Sequence, residues 1–164
     1  MAKTKAHTAY KLKDGTRVKG VTTILSNLGW NKNVLVAWAR RTALAGDDPD
    51  AVLKEAGAIG TLAHYLCECD IKGEEPELDD YSAEQIEKAE NAFLGYLEWK
   101  KMTKPKYEAI ELKMVSEKYK VGGTADFVAR INNSLVLGDI KTSKGIYPEM
   151  TCQLAAYRKM YLEI

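Results

Sequence analysis

The apolar positions change period along the chain, and each change marks an element. Residues 10–12 and 17–21 flank Asp14-Gly15, a turn pair that predicts a short hairpin. Thr22 or Thr23 then caps a short helix ending at Leu28-Gly29. Residues 34–45 read as helix, with Gly46 where a C-cap falls. Asp48-Pro49 sets an N-cap before a proline at the first helical position, and the helix it opens runs toward Ile71 and stops at Gly73. Gly57 and Gly60 inside that helix each cost about 1 kcal/mol relative to alanine, which predicts close packing beside them. Ser82 and Gln85 form a capping box for the helix 83–102, whose apolar stripe includes Ile86, Ala89, Phe93, Tyr96 and Leu97.

The period then shortens to two. Residues 107–117 alternate, with Ile110, Leu112 and Met114 on one face and Glu111, Lys113 and Val115 on the other. A bend at 118–122 leads into a second strand, 124–131. Asn132-Asn133 suits a two-residue hairpin loop before a third strand at 134–141. Pro148 opens a last helix, 148–162, that places Gln153 and Tyr157 on one side.

The chemistry gathers on the hairpin. With Ile131 and Ser134 flanking the loop, paired residues have numbers that sum to 265. Asp126 then faces Asp139, Cα atoms roughly 4.5–5.5 Å apart, and Lys141 shares that face opposite Thr124. Two facing carboxylates repel unless something positive lies between them. Either both are solvated with Lys141 as their salt-bridge partner, or a hard divalent cation such as Mg²⁺ joins them. Asp139 ends an apolar run, where an uncompensated charge is costly, and this favours the cation.

Composition bounds the alternatives. The chain has 164 residues, 46% hydrophobic and 29% charged, which is long enough for a proper core and ordinary for a globular protein. No apolar run approaches a membrane span, and the N-terminus lacks the apolar region of a signal peptide. Cys67, Cys69 and Cys152 are too few for a disulfide framework, which implies a reducing, cytoplasmic setting. The net charge of +1 conceals an asymmetry: +8 over residues 1–41, −12 over 42–99 and +5 over 100–164. Basic ends around an acidic middle suit a polyanion, although a solvated surface of mixed charge explains the same counts.

Gly123-x-x-Asp126 followed by Asp139-Ile140-Lys141 resembles the core signature of the PD-(D/E)XK nuclease superfamily. Gln153-x-x-x-Tyr157 and Gly60-x-x-x-His64 are similar to two further motifs of its RecB-like exonuclease branch, and the order and spacing resemble phage-encoded members. The resemblance spans residues 60–157. It implies an α+β fold, a central mixed β-sheet flanked by α-helices with a restriction-endonuclease-like core, in one domain over 1–164. Within that domain, residues 1–50 would hold the hairpin and first helices, 50–102 the helical part, and 107–164 the catalytic sheet.

It further implies a metal-dependent deoxyribonuclease, more an exonuclease than an endonuclease, acting in recombination, repair or phage DNA processing in the host cytoplasm. Asp126, Asp139 and the Ile140 carbonyl would hold Mg²⁺ or Mn²⁺, with His64 contributing to the same ion or a second one. Lys141 would orient water or stabilise developing charge, and Glu111 would assist, with Glu117 as its competitor nearer the bend. Gln153 and Tyr157 would approach the DNA or the metal. Lys144, together with Lys104 and Lys106 of a basic loop, are candidate backbone contacts to linear ends or single strands.

Some relatives hold an iron–sulfur cluster with four cysteines. No C-x-x-C follows Tyr157 here, so no cluster is expected. Glu68, one turn after His64, divides between a supporting role and the surface. Relatives usually continue into a strand beside the Asp139 strand. Without it, residues 135–142 form an open edge, to be covered by the N-terminal hairpin or by self-association. A structure-specific endonuclease and a non-catalytic DNA-binding subunit are the alternative functions.

Overall fold

The computed structural model describes residues 9–143 and 145–164. In chain order they form β1 (Tyr10–Lys11), β2 (Arg17–Gly20), α1 (Val21–Ser26), α2 (Lys32–Leu44) and α3 (Pro49–Lys72). There follow α4 (Ala83–Thr103), β3 (Lys106–Ser116), β4 (Val121–Ile131), β5 (Ser134–Gly138) and α5 (Pro148–Tyr161). The class is α+β, with an open mixed sheet and flanking helices. Among the described residues no helix is long and apolar enough to cross a membrane.

The chain divides into two compact units, one helical and one built on the sheet. The helical unit comprises Leu28–Tyr96. Its core joins Leu62, Ala63 and Leu66 of α3 to Ala89 of α4, with Ile59, Tyr65, Ile86 and Phe93 packed around them. The signals at Asp48, Gly73 and Ser82 act as expected, while the C-cap of α2 is Ala45, one residue before the expected Gly46. Asp48 Oδ1 accepts the Asp50 N–H at 3.0 Å, and Gly73 ends α3 with φ +71°. Ser82 and Gln85 exchange hydrogen bonds of 3.1 and 3.2 Å as a capping box. The close packing expected at Gly57 is absent, because a Cβ there would meet open space. This glycine weakens the helix without making room for a neighbour.

The sheet unit comprises residues 9–27 and Leu97–Ile164. β4 is its central strand. β3 pairs antiparallel along its whole length, with a bulge between Tyr107 and Ala109. The other edge of β4 is shared: β2 pairs parallel at Lys19↔Val121 and Gly20↔Gly122, and β5 pairs antiparallel from Phe127↔Gly138 to Ile131↔Ser134. Residues 123–126 lie between the ends of those two strands. α1 and α5 cover the face bearing Met114, Val121 and Ala125, adding Val21, Tyr157 and Met160 to a second core.

Two expectations about the N-terminal part change. Neither Thr22 nor Thr23 caps α1, which begins at Val21 with Gly20 as its N-cap. The β1–β2 hairpin does form, but β2 joins β4 rather than covering β5.

Candidate active site

The site begins with the β4–β5 loop. Asn132 and Asn133 both take left-handed backbone angles, φ +49° and +64°, as a type I′ hairpin turn requires. This turn fixes the register, and all five ladder pairs have numbers that sum to 265, as expected. The next pair would join Asp126 to Asp139. The ladder stops one residue short of it, at Gly138, where the Phe127 ring fills the space of a side chain: a Cβ there would lie 2.0 Å from Phe127 Cζ. The chain then leaves the strand, and the Ile140 N–H donates to Asp126 Oδ2. A carboxylate replaces the ladder carbonyl, and this ties the two aspartate segments together.

Leaving the ladder also redirects Lys141. It was expected opposite Thr124 but instead pairs its Nζ with Asp139 Oδ2. The Asp139 side chain is only 6% exposed, against 34% for Lys141. Its other oxygen, Oδ1, accepts from Gln153 Nε2 at 2.9 Å, and the same amide donates to the Tyr157 hydroxyl at 2.9 Å. Burial of this depth is tolerable because both oxygens are hydrogen-bonded. The expected repulsion between the carboxylates is therefore offset by a backbone N–H, an ammonium and an amide.

Gly123 connects β4 to Gln153 and Tyr157 of α5. A Cβ on Gly123 would lie 2.3 Å from Tyr157 Cε1, so the tyrosine ring needs a glycine beneath it. Seated there, Tyr157 orients Gln153, and Gln153 orients Asp139. Tyr157 is buried, and burial pushes its phenol from the ordinary value of 10 up to about 12. The Gln153 amide opposes that shift, while Asp139, Tyr10 and Asp126 add to it. The phenol is thus neutral through the physiological range.

Glu111 lies between the pairs Ile110↔Phe127 and Leu112↔Ala125, which places it beside Asp126 in the register. It is exposed and has φ +50°, a left-handed conformation that is rare for a strand residue. Its competitor Glu117 accepts the Lys13 N–H at 2.7 Å and so fastens the β1–β2 hairpin. Lys104 and Lys106 are exposed around Pro105, and Lys106 pairs with Arg130, four positions from Asp126, or about 13 Å along the strand. Lys144 lies outside the described residues.

His64 belongs to α3 in the helical unit and is half-buried. Glu68, one turn on, pairs with Lys72 as a surface i,i+4 couple. Cys67 and Cys69 are buried in the same helix, as packing residues are.

Among the described residues no group of three or more His, Cys, Asp or Glu side chains converges closely enough to hold an ion alone. Mg²⁺ does not require one, since it takes one or two carboxylates and keeps several waters. The oxygen donors of Asp126, Asp139 and Ile140 fit that chemistry.

Three participants on this face escape a reading by motif: Tyr10, Lys113 and Thr124. The Tyr10 hydroxyl is 3.0 Å from Thr124 Oγ1, and the Lys113 ammonium is 5.5 Å from the Tyr10 ring centre. The signal was the pair Gly122-Gly123 inside a strand. Adjacent strand glycines face opposite sides, and here each side carries a tyrosine ring, Tyr10 on Gly122 and Tyr157 on Gly123. No protein-family model matches the chain, and no curated protein matches it either.

Proposed function

We propose that the sheet unit carries the active site of a metal-dependent deoxyribonuclease with a PD-(D/E)XK-like core, acting as an exonuclease. The observation that carries this reading is the buried Asp139 carboxylate, held between Lys141 Nζ and Gln153 Nε2 beside the link from Ile140 N–H to Asp126. A structural ion pair has no need of a second carboxylate brought to the same strand end.

In this reading Asp126, Asp139 and the Ile140 carbonyl hold Mg²⁺ or Mn²⁺, which when bound lowers the pKa of water and screens the scissile phosphate. Lys141 Nζ spends one proton on Asp139 and keeps two for an attacking water or a non-bridging phosphate oxygen. Gln153 fixes the rotamer of Asp139, and Tyr157, neutral and buried, fixes Gln153. Glu111 stands beside Asp126 as a second acceptor at the edge of the site. Hydrolysis adds water across one P–O bond, leaving a phosphate on one side and a hydroxyl on the other.

The test uses end-labelled linear DNA and covalently closed circular DNA with Mg²⁺ or Mn²⁺, and a chelator control. Metal-dependent loss of the linear substrate with the circle intact supports an exonuclease. Nicking of the circle moves the reading to an endonuclease, and binding without cleavage under any metal overturns catalysis.

A further inference from the structure

One polar group on the sheet is not used by the proposed mechanism. The Tyr10 ring lies over the paired glycines Gly20 and Gly122: Tyr10 Cε2 is 3.3 Å from where a Cβ on Gly20 would be, and Tyr10 Cγ is 2.1 Å from the same point on Gly122. Two glycines thus form a slot for one ring, and the slot delivers its hydroxyl to Thr124 Oγ1 at 3.0 Å. Lys113 is the ladder partner of Thr124. Its Nζ donates to the Ala9 carbonyl at 2.8 Å and sits 5.5 Å from the centre of the same ring.

The proton count of this group is open-ended. One hydroxyl of the Tyr10–Thr124 pair donates to the other, so the second retains its hydrogen for a further acceptor. Lys113, which is exposed, spends one of three ammonium protons on Ala9. A spare hydroxyl proton on this pair and a partly solvated cation 5.5 Å from the centre of the Tyr10 ring are donors that an anionic oxygen takes. Thr124 and Asp126 share a face of β4, about 7 Å apart along the strand. Asp126 and Glu111 themselves repel an anion, so beside Lys141 and a bound cation, neighbours such as these add attraction for one on this face.

We infer that Lys113, Tyr10 and Thr124 form a phosphate-binding subsite that holds a phosphodiester of the DNA backbone adjacent to the one cleaved. The inference rests on the nuclease reading for its ligand, and it assigns the N-terminal hairpin a part in gripping the substrate. Contacts of this kind carry no base information and add to the salt dependence of binding.

The test is equilibrium binding of a short labelled DNA duplex in Ca²⁺, with the full chain, over a range of salt. Lys113→Ala should lower the slope of log K against log salt by about 0.9, equally for different sequences, and Lys113→Arg should restore it. Tyr10→Phe keeps the ring in its slot and should weaken binding about three- to tenfold, the effect of one hydrogen bond, with the slope unchanged. Lys118→Ala, whose ammonium lies 5.2 Å from the Tyr119 ring on the β3–β4 turn, serves as the control with unaltered slope.

An unchanged slope in Lys113→Ala, or an equal fall in Lys118→Ala, overturns the subsite. Cleavage by a protein whose slope ignores Lys113 overturns this inference alone. A Lys113-dependent slope without cleavage overturns the nuclease reading and leaves Lys113 as a backbone-phosphate contact of a DNA-binding protein. A protein that binds no DNA overturns both.

Discussion

Asp139 shows what a register argument can and cannot reach. Its position beside Asp126 was legible, because a two-residue loop and a period of two leave only one arrangement. Of its partners, Lys141 was legible as one of two alternatives, while Gln153 was not, because that contact depends on where β5 ends, and that is set by the Phe127 ring over Gly138. The difference reverses one expectation. From sequence alone, Asp139→Asn relieves a repulsion and leaves the metal-free protein at least as stable. In the structure it removes the partner of Lys141, a part-exposed pair worth about 1 kcal/mol. Asn keeps an oxygen for Gln153, so the expected loss is of that size, read as a lower denaturant midpoint in chelator.

Metal addition should stabilise the wild type and not this variant, by about 2.7 kcal/mol at a hundredfold excess over Kd. A melting temperature of the wild type that ignores Mg²⁺ and Mn²⁺ would remove the shared site. Lys141→Ala separates the two roles of the same cluster. It should cut kcat by roughly 10²–10³ while the metal-induced rise in melting temperature survives. Loss of that rise together with activity would reassign Lys141 to holding Asp139 in place.

Among the elements, those whose ends are set by local chemistry were legible. Asp48-Pro49, Gly73, the Ser82–Gln85 box and the Asn132-Asn133 turn act through neighbours within a few residues, and each appears where expected. Elements placed by distant packing were less so. Thr22 and Thr23 look like caps, yet α1 starts at Val21, directly after Gly20 pairs with Gly122 in the sheet. Glu111 was chosen for its position on the strand, but its left-handed backbone has no signature in sequence.

α5 offers the clearest test at this scale, since its docking depends on Tyr157 lying over Gly123. Gly123→Ala should cost about 1–3 kcal/mol by overpacking and loosen the Gln153–Asp139 contact, lowering activity more than binding. The alkaline limb reports the same contact. The folded-state pKa of Tyr157 is raised from 10 to about 12, so the folded protein holds its proton where the unfolded chain has lost it. Stability associated with this residue is therefore full below pH 10 and declines as pH rises toward 12. Tyr157→Phe should flatten that part of a melting-temperature profile, and an identical decline in both proteins would detach Tyr157 from it.

At the scale of the whole molecule, a helical part before a sheet part was legible, but the boundary between Tyr96 and Leu97 was not, since it falls inside an uninterrupted helix. The open edge was legible in part. β5 pairs with β4, and among the described residues no strand lies along its other side. In a two-residue hairpin the flanking pair is hydrogen-bonded, and bonded pairs then alternate. Ser134, Val136 and Gly138 therefore point their N–H groups toward β4, and Leu135 and Leu137 point theirs outward. Leu135 is also 44% exposed, which makes this a strand edge of the kind that recruits another chain. We expect light scattering to give a mass that rises above 18.3 kDa with concentration. The amides of Leu135 and Leu137 should gain protection from hydrogen exchange over the same range, while those of Val136 and Gly138 are protected throughout. Leu135→Lys should return the mass to that of one chain. A single 18.3 kDa species at every concentration, with the Leu135 and Leu137 amides exchanging freely, would show that the edge stays open and that one copy is the working unit.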